Sequence, residues 1–234
     1  MIEKHILSQF DNDLEEIQAH ILKMGGLVEM AISDSMKAFV HKDLELAQNV
    51  RSADAAIDNL EELINEEAAR VIALRAPTAV DLRVILSVIK VSANLERIGD
   101  YAKNVAKRTG VLIQMNEIED AANALRRLAR EVELMLKDAL DAYVQRDVSL
   151  AEDIIRRDND VDQMYNGLFR QFVTFMMEDP RNITGCMNLH FMAKNIERMG
   201  DHVTSIAEQV IFIVTGEMPS EPRDKADVTS SFKP

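Results

Sequence analysis

Phe10, Leu14, Ile17, Ile21, Met24, Val28 and Ala31 recur at alternating steps of four and three residues. That spacing puts all seven on one stripe of an α-helix, the pattern of a helix that packs in a bundle. A second apolar-periodic stretch runs from about Leu44 to Leu74 and stops at Arg75-Ala76-Pro77, because the residue before proline avoids the α region. From Thr78 a third helix is predicted, with Val84, Val88, Val91, Leu95, Ile98, Ala102 and Val105 again at steps of four and three, fading at Thr109-Gly110. The pattern restarts over Ile118 to about Val144 and over Val148 to about Met177. After a break at Asp179-Pro180 it runs from Ile183 to about Val214. The expectation is an all-α chain, six helices of about 27 to 35 residues in two sets of three. Beyond Gly216 the apolar residues are too sparse to offset the entropy of ordering, so residues 218–234 are expected to form a disordered tail.

The sequence repeats itself. Phe39 to Ala47 lines up with Tyr143 to Ala151 at an offset of 104 residues. Asn94-Leu95-Glu96-Arg97-Ile98-Gly99-Asp100 lines up with Asn195-Ile196-Glu197-Arg198-Met199-Gly200-Asp201 at an offset of 101, identical at five of seven positions. The difference between the offsets falls in the turns around Pro77 and Pro180, where changes of length are tolerated. The chain is therefore expected to be a tandem duplication, residues 1–112 and 113–217 each forming a pseudo-symmetric three-helix bundle.

Composition narrows the partners. With 27 Lys plus Arg against 40 Asp plus Glu, the formal net charge is −13, which disfavours nucleic acid and anionic lipid as general partners. Cys186 stands alone, so there is no disulfide scaffold. No apolar run approaches the roughly 20 residues that span a bilayer, and the first residues, MIEKHILSQFDNDLEE, are acidic where a signal peptide is apolar. A cytoplasmic location is expected.

Acidic pairs carry the candidate chemistry. Glu96 with Asp100 and Glu197 with Asp201 are spaced i, i+4 on the third helix of each unit, and so are Asp54 with Asp58 and Asp158 with Asp162 on the second. At that spacing two side chains share a face about 5–6 Å apart, and like charges there are mildly destabilising. In an antiparallel hairpin, residues equidistant from the turn lie at one level. Asp58 and Glu96 are equidistant from Pro77, as are Asp54 and Asp100, while Asp162 with Glu197 and Asp158 with Asp201 centre beside Pro180. Asp58, Glu96, Asp162 and Glu197 each follow an apolar seam position, which puts them at the border of the buried stripe. Four carboxylates gathered in this way call for protons or for hard cations such as Mg²⁺, Ca²⁺, Mn²⁺ or iron. Gly99 and Gly200 would keep space open beside them. The competing possibility is a solvated acidic face neutralised by Arg97 and Arg198.

Other candidate ligands are weaker. His190 lies about 10 Å along the helix from Glu197 and reads as a core or interface histidine. His202 points about 100° away from Asp201. Cys186 and the methionines read as core packing. Gly25-Gly26 marks either a close helix crossing or a tolerated irregularity. There is no Gly-rich phosphate loop, Gly-x-Ser-x-Gly, His-Glu-x-x-His or Glu-x-x-His, so no enzyme is expected.

The duplicated Asn-[Leu/Ile]-Glu-Arg-[Ile/Met]-Gly-Asp element, the turn Arg75-Ala76-Pro77-Thr78-Ala79-Val80-Asp81-Leu82-Arg83, and Met24-Gly25-Gly26-Leu27-Val28-Glu29 closely resemble the PhoU family, over about residues 1–217. The resemblance implies two similar three-helix bundles with divalent or trivalent metal ions, of uncertain identity, at the Glu/Asp-x-x-x-Asp elements. Carried over, the metal-binding matches are Glu96, Asp100, Glu197 and Asp201, with Asp54, Asp58, Asp158 and Asp162 opposite. It implies a non-catalytic negative regulator of phosphate uptake and of the phosphate-starvation response. The partners implied are the ATPase subunit of the phosphate ABC transporter and the sensor histidine kinase PhoR, reached at the membrane only through them. Homodimerisation stays open. So does a second class of function, a metal-storage or redox protein using the same carboxylates. Asn104 on the first face has Ser205 as its counterpart, so the two sites are not expected to be equivalent. The second unit replaces the Arg-x-Pro turn with Glu178-Asp179-Pro180-Arg181, which confines any partner contact by Asp81 or Arg83 to the first.

Overall fold

The computed structural model describes residues 2–77, 79–115, 118 and 120–219. These form six α-helices: α1 (Ile2–His41), α2 (Leu44–Arg75), α3 (Val80–Leu112), α4 (Ala121–Gln145), α5 (Val148–Glu178) and α6 (Ile183–Thr215). A single 3₁₀ turn, Pro180–Asn182, joins α5 to α6. The all-α expectation of two three-helix bundles agrees with this architecture, and most helix limits fall within two residues of those predicted. Two do not. α3 runs through Thr109-Gly110 to Leu112, since one glycine costs a helix about 1 kcal/mol without ending it. α4 begins at Ala121 rather than Ile118. Beyond Pro219, the tail expected at 218–234 lies outside the described residues.

The repeat is visible in the turns. Lys42 and Arg146, at equivalent positions, both adopt left-handed backbone (φ 56° and 55°). The residue after each, Asp43 or Asp147, caps the following helix: its side chain accepts from the backbone N–H of Leu46 or Leu150 at 2.9 and 3.0 Å. An aspartate cap after a one-residue left-handed turn reverses the chain in the shortest distance, so α1/α2 and α4/α5 are tight hairpins.

α1, α2 and α3 pack on one another, as do α4, α5 and α6. The two sets join through α3 against α6 and α1 against α4. Across α3 and α6 the partner numbers run in opposite directions: Arg83 lies over Phe212, Tyr101 against His202, and Arg108 against Asn188 and Phe191. The pair is antiparallel, and equivalent residues of the two repeats meet near its middle, which places a pseudo-two-fold axis between the bundles. One core of buried side chains, including Ile21, Ile64, Leu95, Leu128, Phe172 and Ile196, draws on all six helices without a break between the sets.

Gly25 accounts for the close crossing of α1 and α4: a Cβ there would stand 2.5 Å from Leu140 Cδ1. Gly26 faces open space, with nothing within 4 Å of such a Cβ, so only the first glycine of the pair is explained by packing. Cys186 is free and fully buried, as expected of a core thiol. Among the described residues, no helix is long and apolar enough to cross a membrane.

Candidate metal centre

The α2/α3 hairpin brings Asp54, Asp58, Glu96 and Asp100 close enough to act on one another's charge. A Cβ added at Gly99 would stand 3.0 Å from Ile57 Cδ1 and 3.7 Å from Asp54 Oδ1, so helix α2 presses directly on this glycine. Lys103 Nζ donates to Asp54 and, at 3.5 Å, to Asp100 Oδ1, bridging the two helices. Arg97 lies 3.4 Å from Glu96 Oε2 and 3.6 Å from Asp100 Oδ2. Asp54 is buried, Glu96 and Asp100 are half-buried, and Asp58 is exposed. Desolvation pushes the Asp58 and Glu96 carboxyls above their ordinary values, and the neighbouring acids push further: Asp54, Asp100 and Glu61 on Asp58, and Asp100, Asp58 and Glu61 on Glu96.

The α5/α6 hairpin repeats the arrangement more deeply. Asp158, Asp162 and Glu197 are 7%, 4% and 2% exposed, and Asp201 is half-buried. Gly200 again sits under the facing helix: its added Cβ would be 3.2 Å from Asp158 Oδ1 and 3.4 Å from Val161 Cγ1. Lys194 Nζ donates to Glu197 Oε1 at 2.9 Å, while Glu197 Oε2 is buried with no hydrogen-bond partner. Burial raises the Glu197 carboxyl above its ordinary value; Lys194 opposes this, and Asp201 and Asp162 add to it.

The two lysines were not among the sequence candidates, although their spacing shows them: Lys103 is three residues after Asp100, and Lys194 three before Glu197, so each shares a face with its acid. They are not equivalents. The position matching Lys103 is Thr204, and that matching Lys194 is Ala93. Arg97 does neutralise its neighbours as the solvated-face possibility requires, whereas Arg198 lies over the Tyr101 ring, 6.0 Å from its centre. His202 donates from Nδ1 to Asn94 Oδ1 at 2.8 Å and stacks on Tyr101, so it joins α6 to α3. His190 packs among Tyr165, Phe169 and Phe191, an interface histidine as expected.

The donor set suits a hard cation: carboxylate oxygens from two facing helices, one of them buried and unpaired, beside glycines that keep the helices close. Among the described residues, no three His, Cys, Asp or Glu side chains are disposed to hold a metal ion. The site carries charge compensation by lysine in the state described.

A family model described as "PhoU domain" matches residues 21–109 and again 125–210, one match in each half of the duplication. A Rhizobium meliloti protein named "Phosphate-specific transport system accessory protein PhoU homolog" is 45% identical over 232 residues, 99% of this chain and 98% of that protein. The crystal structure of PhoU from Pseudomonas aeruginosa superposes with a TM-score of 0.86 at 41% identity, covering 89% of this chain and 100% of that one. The phosphate transport system regulatory protein PhoU from Streptococcus pneumoniae gives 0.84 at 28% identity, over 91% and 100%. With both halves matched and similarity along nearly its whole length, this chain belongs to the PhoU family.

Proposed function

We propose that this chain is a cytoplasmic accessory regulator of phosphate transport, a non-catalytic adaptor that joins the ATPase subunit of the phosphate ABC transporter to the sensor histidine kinase PhoR and restrains the starvation response when phosphate is sufficient. The observation that carries it is the full-length similarity to relatives named as accessory proteins of that transport system.

The acid clusters supply the adaptor's adjustable part. Asp54, Asp58, Glu96 and Asp100 would hold an ion in the first unit, and Asp158, Asp162, Glu197 and Asp201 in the second, where a bound cation would neutralise like charges across each hairpin. Lys103 performs that neutralisation across the first hairpin in the chain as it stands, while Lys194 pairs with Glu197 within α6. Exchange of Lys103 for metal would alter how firmly α2 is tied to α3, and a cation shared by Asp158, Asp162, Glu197 and Asp201 would tie α5 to α6, changing the outer surface that those helices present.

The test compares tag-free wild type with a Glu96→Gln, Asp100→Asn, Glu197→Gln, Asp201→Asn variant. Metal content is measured by elemental analysis, and repression by a phosphate-starvation reporter in cells whose own copy is deleted. Stoichiometric metal and repression, both lost in the variant, are expected. Failure of wild type to restore repression overturns the regulator assignment. Full repression by the variant removes metal from signalling, and metal-dependent turnover by the pure protein favours a redox or storage role instead.

A further inference from the structure

The chain is strongly acidic overall, yet one of its cavities is basic. A hollow of about 620 Å³ lies between the C-terminal part of α1 and the N-terminal part of α4. Lys37 and His41 reach its rim from α1, and Arg126, Arg127 and Arg130 from α4. Its floor is apolar: Met36 and Ala129 are buried, and Val40 and Met164 are half-buried. The volume falls in the range of small-molecule sites.

The acids beside the hollow are already engaged. Glu131 accepts from Arg157 Nε and Nη2 at 3.1 and 3.0 Å. Glu133 pairs with Arg130 at 2.9 Å, and Lys37 pairs with Asp34 at 2.7 Å. The last two are i, i+3 pairs with the cation more than half exposed. Such pairs contribute little to stability, so an incoming oxyanion exchanges for them at small cost. Arginine forks match phosphoryl oxygens in bidentate geometry.

The form of the ligand follows from where the charge sits. A neighbouring hollow of about 370 Å³ continues along the same crossing and shares Lys37, Arg130 and Glu133, but there Lys137 is offset by Glu29 and no further arginine joins. Positive charge is therefore densest at one concave end, over an apolar floor, where Arg126, Arg127 and Arg130 gather, and thins along the groove. We propose that this hollow binds a phosphorylated small molecule of nucleotide type, its phosphoryl groups held by Lys37, Arg126 and Arg130 and its apolar body resting on Met36, Val40 and Met164. The site is remote from the acid clusters and does not rest on their metal.

Calorimetric titration of the full chain with ATP, in buffer stripped of divalent metal, tests this. Saturable binding with a dissociation constant below about 1 mM is expected, weakening as salt is raised. Arg126→Ala with Arg130→Ala should weaken it by roughly tenfold or more, while Arg181→Ala, at an exposed basic position in the α5/α6 turn, should leave it unchanged. Circular dichroism checks that the variants are folded. No saturation by ATP, or equal affinity in the double variant, overturns the proposal. Inorganic phosphate binding as tightly as ATP overturns the role of the apolar floor, and a glutamate-rich peptide binding more tightly than ATP reassigns the hollow to a protein partner.

Discussion

The rings of Tyr101 and His202 stack with their centres 5.7 Å apart, and the two residues are equivalents in the duplication: each directly follows the last aspartate of its repeated element. The pseudo-two-fold axis therefore passes beside the point where the two acidic helices meet. Asn94, from the first repeated element, accepts from His202 in the same junction, and Arg198, from the second, lies over Tyr101. Tyr101, one residue after Asp100, thus touches the helix that carries Asp201. A double-mutant cycle with Tyr101→Ala and His202→Ala should return a coupling of about 0.5–1.5 kcal/mol in denaturant unfolding. Simple additivity would show that the stack does not join the halves.

Lys103 holds two acids that would otherwise repel. Replacing it by methionine keeps the stem and removes the charge, leaving Asp54 buried without its donor. A loss of about 1 kcal/mol is expected, held down by the lysine's partial exposure to solvent. Added Mn²⁺ or Mg²⁺ should raise the melting temperature of Lys103→Met more than that of wild type, because the cation no longer displaces an ammonium. An equal rise in both proteins would remove lysine as the competitor for the site.

Glu197 makes stability depend on pH. Burial raises its carboxyl above the ordinary value of 4.5 in the folded chain, so the folded state binds a proton that the unfolded chain has already released. Its unfavourable contribution is absent below about pH 4.5 and grows as pH rises through the raised value. In metal-free protein, Glu197→Gln should be more stable than wild type near neutrality and indistinguishable from it at low pH. The reverse trend in chemical denaturation across pH 4 to 8 would mean that Lys194 outweighs burial.

The glycine pair in α1 separates two causes. Gly26→Ala meets open space and should stabilise by up to about 1 kcal/mol from helix propensity alone. Gly25→Ala gains the same propensity but forces Leu140 to move, and should fall below Gly26→Ala in thermal unfolding by about 1–3 kcal/mol. Equal effects would mean that the α1/α4 crossing adjusts freely.

The fold was legible because its signals are local. Apolar steps of four and three located the helices, Pro77 and Pro180 located the turns, and equal distances from those turns put Asp58 level with Glu96 and Asp162 level with Glu197. What pattern could not supply was orientation across interfaces between the two sets of helices. The packing of Gly25 on Leu140, the bond from His202 to Asn94 and the gathering of Lys37 with Arg126 and Arg130 all depend on how α1 meets α4 and α3 meets α6. Periodicity along one helix is blind to that. The lysines beside the acid clusters were within reach of spacing, but the duplication does not mark them, since neither recurs in the other half.

The unbroken core has a bearing on how such a chain could arise. Each set of three helices leaves one flank, formed by its first and third helices, that only the other set covers. Around a two-fold axis, that flank is self-complementary, because the surface that receives the second unit is the same surface the second unit presents. Two separate copies of a single three-helix unit would satisfy each other in the same way. Fusing them into one chain makes the partnership permanent, and it frees each half to diverge, as the different placement of Lys103 and Lys194 and the arginines found only on α4's side of the basic hollow already show.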